Sequence, residues 1–134
     1  MRRFAFATLA VAVIAGPVLA EDAKPATPPT QVKFAALPDD TVLSYNLKNL
    51  NLVDGQNHTA AEIKDLALSN GKLVGYIVSV GGFLGMGDRY VVIDPSSVAL
   101  TYDADAKKWK ASVNASKDQL KAAPEFKYEG KYKN

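Results

Sequence analysis

The sequence predicts a mainly β domain: a small antiparallel β-barrel of about six strands with a short C-terminal helix. Three observations support this prediction. From Asp39 onwards, short runs of β-branched and aromatic residues alternate with turn residues. An Asn-Gly pair at 70–71 joins two of these runs, and this dipeptide is typical of a two-residue hairpin loop. One helix-capping pattern stands near the end of the chain, at Ser116.

The candidate strands are short apolar runs, each bounded by turn residues. They comprise residues 41–45, 47–53, 59–69, 72–80, 90–94, 98–102 and 109–113. The run 72–80 is rich in β-branched and aromatic residues and has little polar alternation, so we expect it to be the central strand, covered on both faces. Residues 103–107 form the predicted loop of a second hairpin.

The predicted helix begins after Ser116. Ser116-Lys117-Asp118-Gln119 has the S-x-x-Q form of a capping box, and Asp118 is favourably placed near the positive end of the helix. Residues 120–123 continue the helix, and Pro124 ends it.

The N-terminal region predicts export. Arg2 and Arg3 precede an apolar stretch at 4–20 that ends in small residues, as in a secretory signal peptide, and we expect cleavage after Ala20. A retained membrane anchor is the competing interpretation, but about seventeen residues are at the short limit for a span. Residues 21–38 contain four prolines and predict an extended tether. The predicted barrel domain is then 39–128, followed by a tail at 129–134.

Composition excludes several function classes. The chain has no cysteine and one histidine, which removes disulfide scaffolds, thiolate zinc sites, a cysteine nucleophile and multi-histidine metal sites. Without Arg2 and Arg3, 14 basic residues face 14 acidic ones. A neutral domain is a poor nucleic-acid binder, because that affinity depends on an excess of Lys and Arg. We therefore expect no nucleic-acid partner.

Residues 61–98 (AEIKDLALSNGKLVGYIVSVGGFLGMGDRYVVIDPSSV) and 116–124 (SKDQLKAAP) carry a family resemblance. Together they resemble the PRC-barrel family, which also includes the cytoplasmic domain of the photosynthetic reaction centre H subunit, and within it small exported bacterial members. Matching segments cover most of 43–128 in the same order. Two departures are Ala60-Ala61, where relatives usually have a glycine, and Ile93-Asp94-Pro95, where many read V-P-aromatic.

The resemblance implies a compact β-barrel and a non-enzymatic, assembly-type role. The family shares no catalytic constellation, so it implies no catalytic residue and no cofactor. No G-x-S-x-G elbow is present in the chain, and a single histidine leaves few options for a triad. We therefore expect that the protein is not an enzyme.

The most distinctive segment is rich in glycine, at Gly81, Gly82, Gly85 and Gly87. A phosphate-binding loop is disfavoured, because the segment connects two strands and no Gly-Lys-Ser/Thr follows. One interpretation is that the glycines permit unusual φ values or a bulge that turns the barrel. A second adds that Phe83, Leu84 and Met86 project together as an apolar patch that contacts a partner, a second copy of the chain or a lipid surface.

Three weaker candidate sites are expected to be solvent-exposed surface without a binding role. His58 is expected to be a solvated loop residue, and Asp103-x-Asp105 a hairpin tip rather than a calcium loop, because Lys107 occupies the third ligand position. Residues 107–110 and 126–133 interleave lysines with aromatics, as a membrane-surface segment does. We favour a lysine-guarded strand edge and a frayed terminus instead.

The sequence therefore predicts an exported, non-catalytic binding or adaptor module of the bacterial cell envelope, most simply periplasmic. Its expected partner is another protein or a second copy of itself. The alternatives are a self-associating structural or stress-related envelope protein and a small-molecule carrier. A carrier is disfavoured because a six-stranded barrel is usually filled by its own side chains.

Overall fold

The computed structural model describes residues 26–81 and 88–133. The chain divides after Ala36, and the unit from Leu37 onwards contains the described helices and strands. In the preceding unit, residues 26–36 are exposed and belong to no helix or strand. Across the described ranges, no helix is long and apolar enough to span a membrane.

The described part of the domain contains six strands and two short α-helices. In chain order they are α1 (Ser44–Leu47), β1 (Asn51–Val53), β2 (Thr59–Ser69), β3 (Lys72–Val80), β4 (Arg89–Ile93), β5 (Val98–Asp103), β6 (Lys108–Val113) and α2 (Lys117–Lys121). Single 3₁₀ turns occur at Pro95–Ser97 and Gly130–Tyr132. The predicted mainly β class is thereby confirmed.

The strands form one sheet in the order β4-β3-β2-β1-β6-β5. Four of the neighbouring pairs are antiparallel, but β1 and β6 run parallel, with Leu52 beside Ala111. The prediction of a wholly antiparallel barrel is therefore wrong at this pair. β4 and β5 are not paired to each other, so the sheet is not closed by hydrogen bonds.

The first two predicted strands are also largely wrong. Residues 41–45 form no strand, because the chain turns into α1 at Ser44, and only the end of the run 47–53 is extended, as β1. Leu47 at the end of α1 is buried in the core, whereas Tyr45 faces solvent. Asn49 then adopts a φ of 66°, and its N–H donates to the Ile63 carbonyl. One helical turn thus buries Leu47 and leads into β1.

The hairpin of β2 and β3 has the predicted form. Asn70 and Gly71 both have positive φ, 51° and 74°, as a type I′ turn requires. From Gly75 to Val80 every residue of β3 is buried, so the prediction that this strand is covered on both faces is confirmed for its second half. The fully buried side chains of the core are Leu52, Ile63, Val78, Val80 and Val91.

The helix α2 has the predicted capping box. The Ser116 hydroxyl accepts from the Gln119 N–H, and the Gln119 side chain accepts from the Ser116 N–H. Its Leu120 is buried in the core, so the cap fixes the point at which this helix packs against the strands.

The C-terminal segment, residues 124–133, covers the outer face of the sheet. Phe126 donates its N–H to the Tyr90 carbonyl at 2.7 Å and forms an antiparallel bridge with β4. Ile77 on β3 is only 6% exposed yet lies outside the main core cluster. It shares a groove with Phe126 and Tyr132, so these aromatics cover the side of β3 that faces away from the core. The expectation of a frayed terminus is therefore wrong at Phe126, whereas residues 129–133 are exposed.

Candidate interaction surfaces

The apolar patch predicted at Phe83, Leu84 and Met86 lies outside the described residues, as do Gly82, Gly85 and Gly87. The apolar patch and the role of these glycines therefore stay predictions.

Gly81 is described and occupies a crowded, left-handed position. Its φ is +74°, and an added Cβ would come within 2.8 Å of the Lys121 side chain of α2. The end of the Lys121 side chain can move aside, so a residue with a side chain would be strained at this position mainly in its backbone.

The largest described groove, which we call the tyrosine groove, lies between α1, β2 and the C-terminal segment. Its volume is about 900 Å³, and it is open to solvent. Three tyrosines and three lysines from distant parts of the chain line it: Tyr45, Tyr90, Tyr128, Lys48, Lys64 and Lys133. The exposed side chain of Leu68 adds apolar surface. The groove therefore combines aromatic faces with cationic groups.

The tyrosines at one end of the groove are held in place by aromatic contacts. The rings of Tyr90 and Tyr128 meet edge to face, with centroids 5.1 Å apart, and Tyr128 meets Phe126 in the same way at 5.0 Å. Burial raises the pKa of Tyr128, and the nearby Asp65 carboxylate contributes to the same rise. Tyr45 on α1, by contrast, is 72% exposed.

The charges of the tyrosine groove are predominantly positive. Lys64 donates to the Glu62 carboxylate at 2.8 Å, and this hydrogen bond raises the Lys64 pKa. Lys48 and Lys133 are exposed, and Asp65 is the acidic residue of the lining. A ligand of this groove would therefore meet tyrosine rings and lysine ammonium groups together.

A second aromatic surface lies on the β5–β6 hairpin. Tyr102 and Trp109 are paired across the two strands, with ring centroids 5.4 Å apart, and Tyr102 is half exposed. At the tip, the Asp103 carboxylate accepts from the N–H groups of Asp105 and Ala106. Lys110 lies 2.8 Å from the same carboxylate and lowers the Asp103 pKa below the ordinary value of 3.8. The predicted hairpin tip is confirmed.

His58 lies in an exposed loop, as expected. The Asp54 carboxylate accepts from the N–H groups of Gln56 and His58, which fixes the loop and lowers the Asp54 pKa. The His58 ring is 73% exposed and lies 3.7 Å from Asp54. Within residues 26–81 and 88–133, no three His, Asp or Glu side chains come together as a metal site.

Sequence reasoning missed the tyrosine groove, because the tyrosines that line it are separated by dozens of positions. Tyr128 reaches Tyr90 only when the C-terminal segment docks on β4. One signal was available. The aromatic residues Phe126, Tyr128 and Tyr132 recur closely in a segment that composition alone assigns to a tail. Such a concentration of aromatics indicates a docked segment rather than a frayed one.

The molecule is thus a small mainly β domain with a filled core and open surface grooves. The family model of the PRC-barrel domain matches residues 39–120, and the chain belongs to this family. The match ends before the C-terminal segment, so Tyr128 and Lys133 of the tyrosine groove lie beyond the family region. No curated protein matches the chain.

Proposed function

We propose that the protein is an exported, non-catalytic PRC-barrel module of the bacterial cell envelope that acts by binding another protein. The tyrosine groove is the observation that carries this proposal. It is a solvent-open groove of about 900 Å³ that is lined by three tyrosines and three lysines, and aromatic contacts hold the rings of Tyr90 and Tyr128. Aromatic residues are enriched at protein interfaces because each ring contributes a large contact area with few rotatable bonds.

The groove favours an acidic segment of a partner protein. Lys48 and Lys133 are exposed, and the acidic residue Asp65 opposes them from one wall only. Charge complementarity of this kind directs association and selects partners. An acidic segment that carries apolar side chains would satisfy both the lysines and the tyrosine faces.

A small-molecule carrier is less well supported by the interior of the domain. Leu52, Ile63 and Val78 fill the core and are fully buried. The described grooves lie on the surface and not inside the sheet, so a small ligand would be only partly enclosed. Self-association is supported by a different surface, the side of β5 that no described strand pairs with.

Site-specific cross-linking tests the binding surface. A photo-reactive amino acid replaces Tyr45 in the groove, or Gln56 in the exposed loop as the matched control, and the exported protein is irradiated in envelope preparations. We expect a discrete adduct from position 45 and none from 56. Lys48→Glu combined with Lys133→Glu should reduce the adduct at least tenfold while the circular dichroism spectrum stays unchanged. Equal labelling from both positions would contradict the proposal.

Export is tested separately, by the mass of the protein recovered from the periplasm. Cleavage after Ala20 predicts a mature chain that begins at Glu21. An intact Met1 in a membrane-bound product would support the anchor interpretation instead.

A further inference from the structure

The strand β5 forms a free edge of the described sheet. It pairs with β6 along its whole length, from Val98 opposite Val113 to Asp103 opposite Lys108, and with no other described strand. Along an edge strand, alternate N–H and C=O groups point away from the sheet and are available to a further strand.

This edge lacks the usual features that prevent pairing with another chain. Within β5 there is no lysine and no proline, and the register with β6 is uninterrupted by a bulge. The lysines expected to guard the edge lie elsewhere: Lys107 is in the loop, and Lys108 and Lys110 are on β6. The charged residue of β5, Asp103, lies at its end and is already bound to Lys110.

The opposite edge of the sheet is bridged at one position. The Phe126 N–H donates to the Tyr90 carbonyl, so the C-terminal segment lies where a further strand would pair with β4. Pairing β5 of one copy with β4 of the next would require displacement of this segment. The two edges therefore favour an interface in which β5 meets β5, which closes after two copies instead of extending into a fibre.

We propose that two copies of this chain dimerise by antiparallel pairing of their β5 strands about a two-fold axis. A register centred on Leu100 places Val98 opposite Tyr102 of the partner subunit on the core-facing side. On the solvent side it places Ala99 opposite Thr101 of the partner subunit. Pairs of β-branched and aromatic residues stabilise antiparallel neighbours. The Tyr102–Trp109 pair extends this apolar face to the hairpin tip.

The register is also compatible with the charges. Asp103 lies three residues from the axis, so the two Asp103 carboxylates are at opposite ends of the interface, roughly 20 Å apart by the rise of a strand. Ala99 and Thr101 are exposed in the single chain, so substitutions at these positions do not disturb the core. The two positions therefore provide a direct test of the pairing.

The experiment is analytical ultracentrifugation of the protein purified after export, over a wide concentration range. In the Ala99→Lys dimer, the two introduced lysines are diagonal neighbours across the two-fold axis. In the Thr101→Glu dimer, the two introduced glutamates are diagonal neighbours in the same way. Each single variant therefore places two like charges close together, and they repel each other. We expect a wild-type dimer and a dissociation constant at least tenfold higher in each single variant. The double variant places each lysine opposite a glutamate of the partner subunit, so its dissociation constant should return to within about threefold of wild type.

Two controls separate this interface from other effects. Ser69→Lys adds the same charge at an exposed position of β2, where Ser69 pairs with Lys72 of β3 and not with β5, and should leave the dimer unchanged. Lys48→Glu alters the tyrosine groove and should also leave the dimer unchanged. Failure of the proposed dimer and failure of the proposed binding function are therefore distinguishable. A wild-type monomer at about 1 mM, or a dimer that both single variants leave intact, would overturn the proposal.

Discussion

The two edges of the sheet differ in how their backbone groups are satisfied. At β4 the C-terminal segment supplies a hydrogen bond from Phe126 and aromatic rings that cover the outer face around Tyr90. At β5 no described strand or segment is paired to the outward side. Within the described residues, one edge is thus bridged by the chain itself at Tyr90, and the other is unpaired.

The comparison shows that protection of the β4 edge comes from outside the family region. The PRC-barrel match ends at residue 120, and the segment that covers β4 follows it. In the described residues, the segment that follows the family region therefore protects the β4 edge and not the β5 edge.

Phe126→Ala should produce the largest loss. The substitution removes ring contacts to Tyr128 and Tyr132 and uncovers the outer face near Ile77. We expect a decrease in the free energy of unfolding of about 2–4 kcal/mol, measured by urea denaturation. Tyr132→Ala is the matched control: this ring is half exposed, so its removal should cost less. A loss below about 0.5 kcal/mol in Phe126→Ala would show that the segment does not cover the edge.

Gly75→Ala should weaken the attachment of β4 to β3. An added Cβ at this buried position collides with the side chain of Val92 on β4, and overpacking of this kind costs about 1–3 kcal/mol. Removing the colliding atoms in Gly75→Ala/Val92→Ala should recover part of the stability lost in Gly75→Ala. Gly55→Ala, where an added Cβ meets nothing, is the control and should be close to neutral by thermal denaturation.

Lys110→Met should change the titration of Asp103 on the open β5 edge. The hydrogen bond from Lys110 lowers the Asp103 pKa, so its contribution to stability is present above pH 3.8 and is lost as the pH falls through the folded-state pKa. In the variant, NMR titration of the Asp103 carboxyl should show the pKa displaced upwards. The stability difference from wild type should disappear in strong acid. An unchanged Asp103 pKa would show that Lys110 does not hold this carboxylate.

The local features of the fold could be predicted from the sequence. Asn70-Gly71 specifies a turn with two positive φ values, and Ser116 with Gln119 specifies a helix start, because each depends on neighbouring residues alone. The unbroken apolar run of β3 indicates burial on both faces for the same reason.

The long-range features could not be predicted. Leu52 and Ala111 pair in parallel although they lie far apart in the chain, and no local pattern specifies that contact. The β-branched residues Thr41 and Val42 favour a strand, but burial of Leu47 in the core is achieved by a helical turn. Tyr90 and Tyr128 likewise meet only through the docking of the C-terminal segment on β4.

Amide hydrogen exchange, followed by NMR at each residue, tests the difference between the two edges most directly. In dilute protein the Phe126 amide should be protected by the Tyr90 carbonyl, while the outward amides of β5 exchange readily. When the protein concentration is raised, the outward amides of β5 should become protected and Phe126 should not change. Rapid exchange at Phe126 would contradict this account. So would outward β5 amides that are already protected in dilute solution, or that stay unprotected when the protein is concentrated.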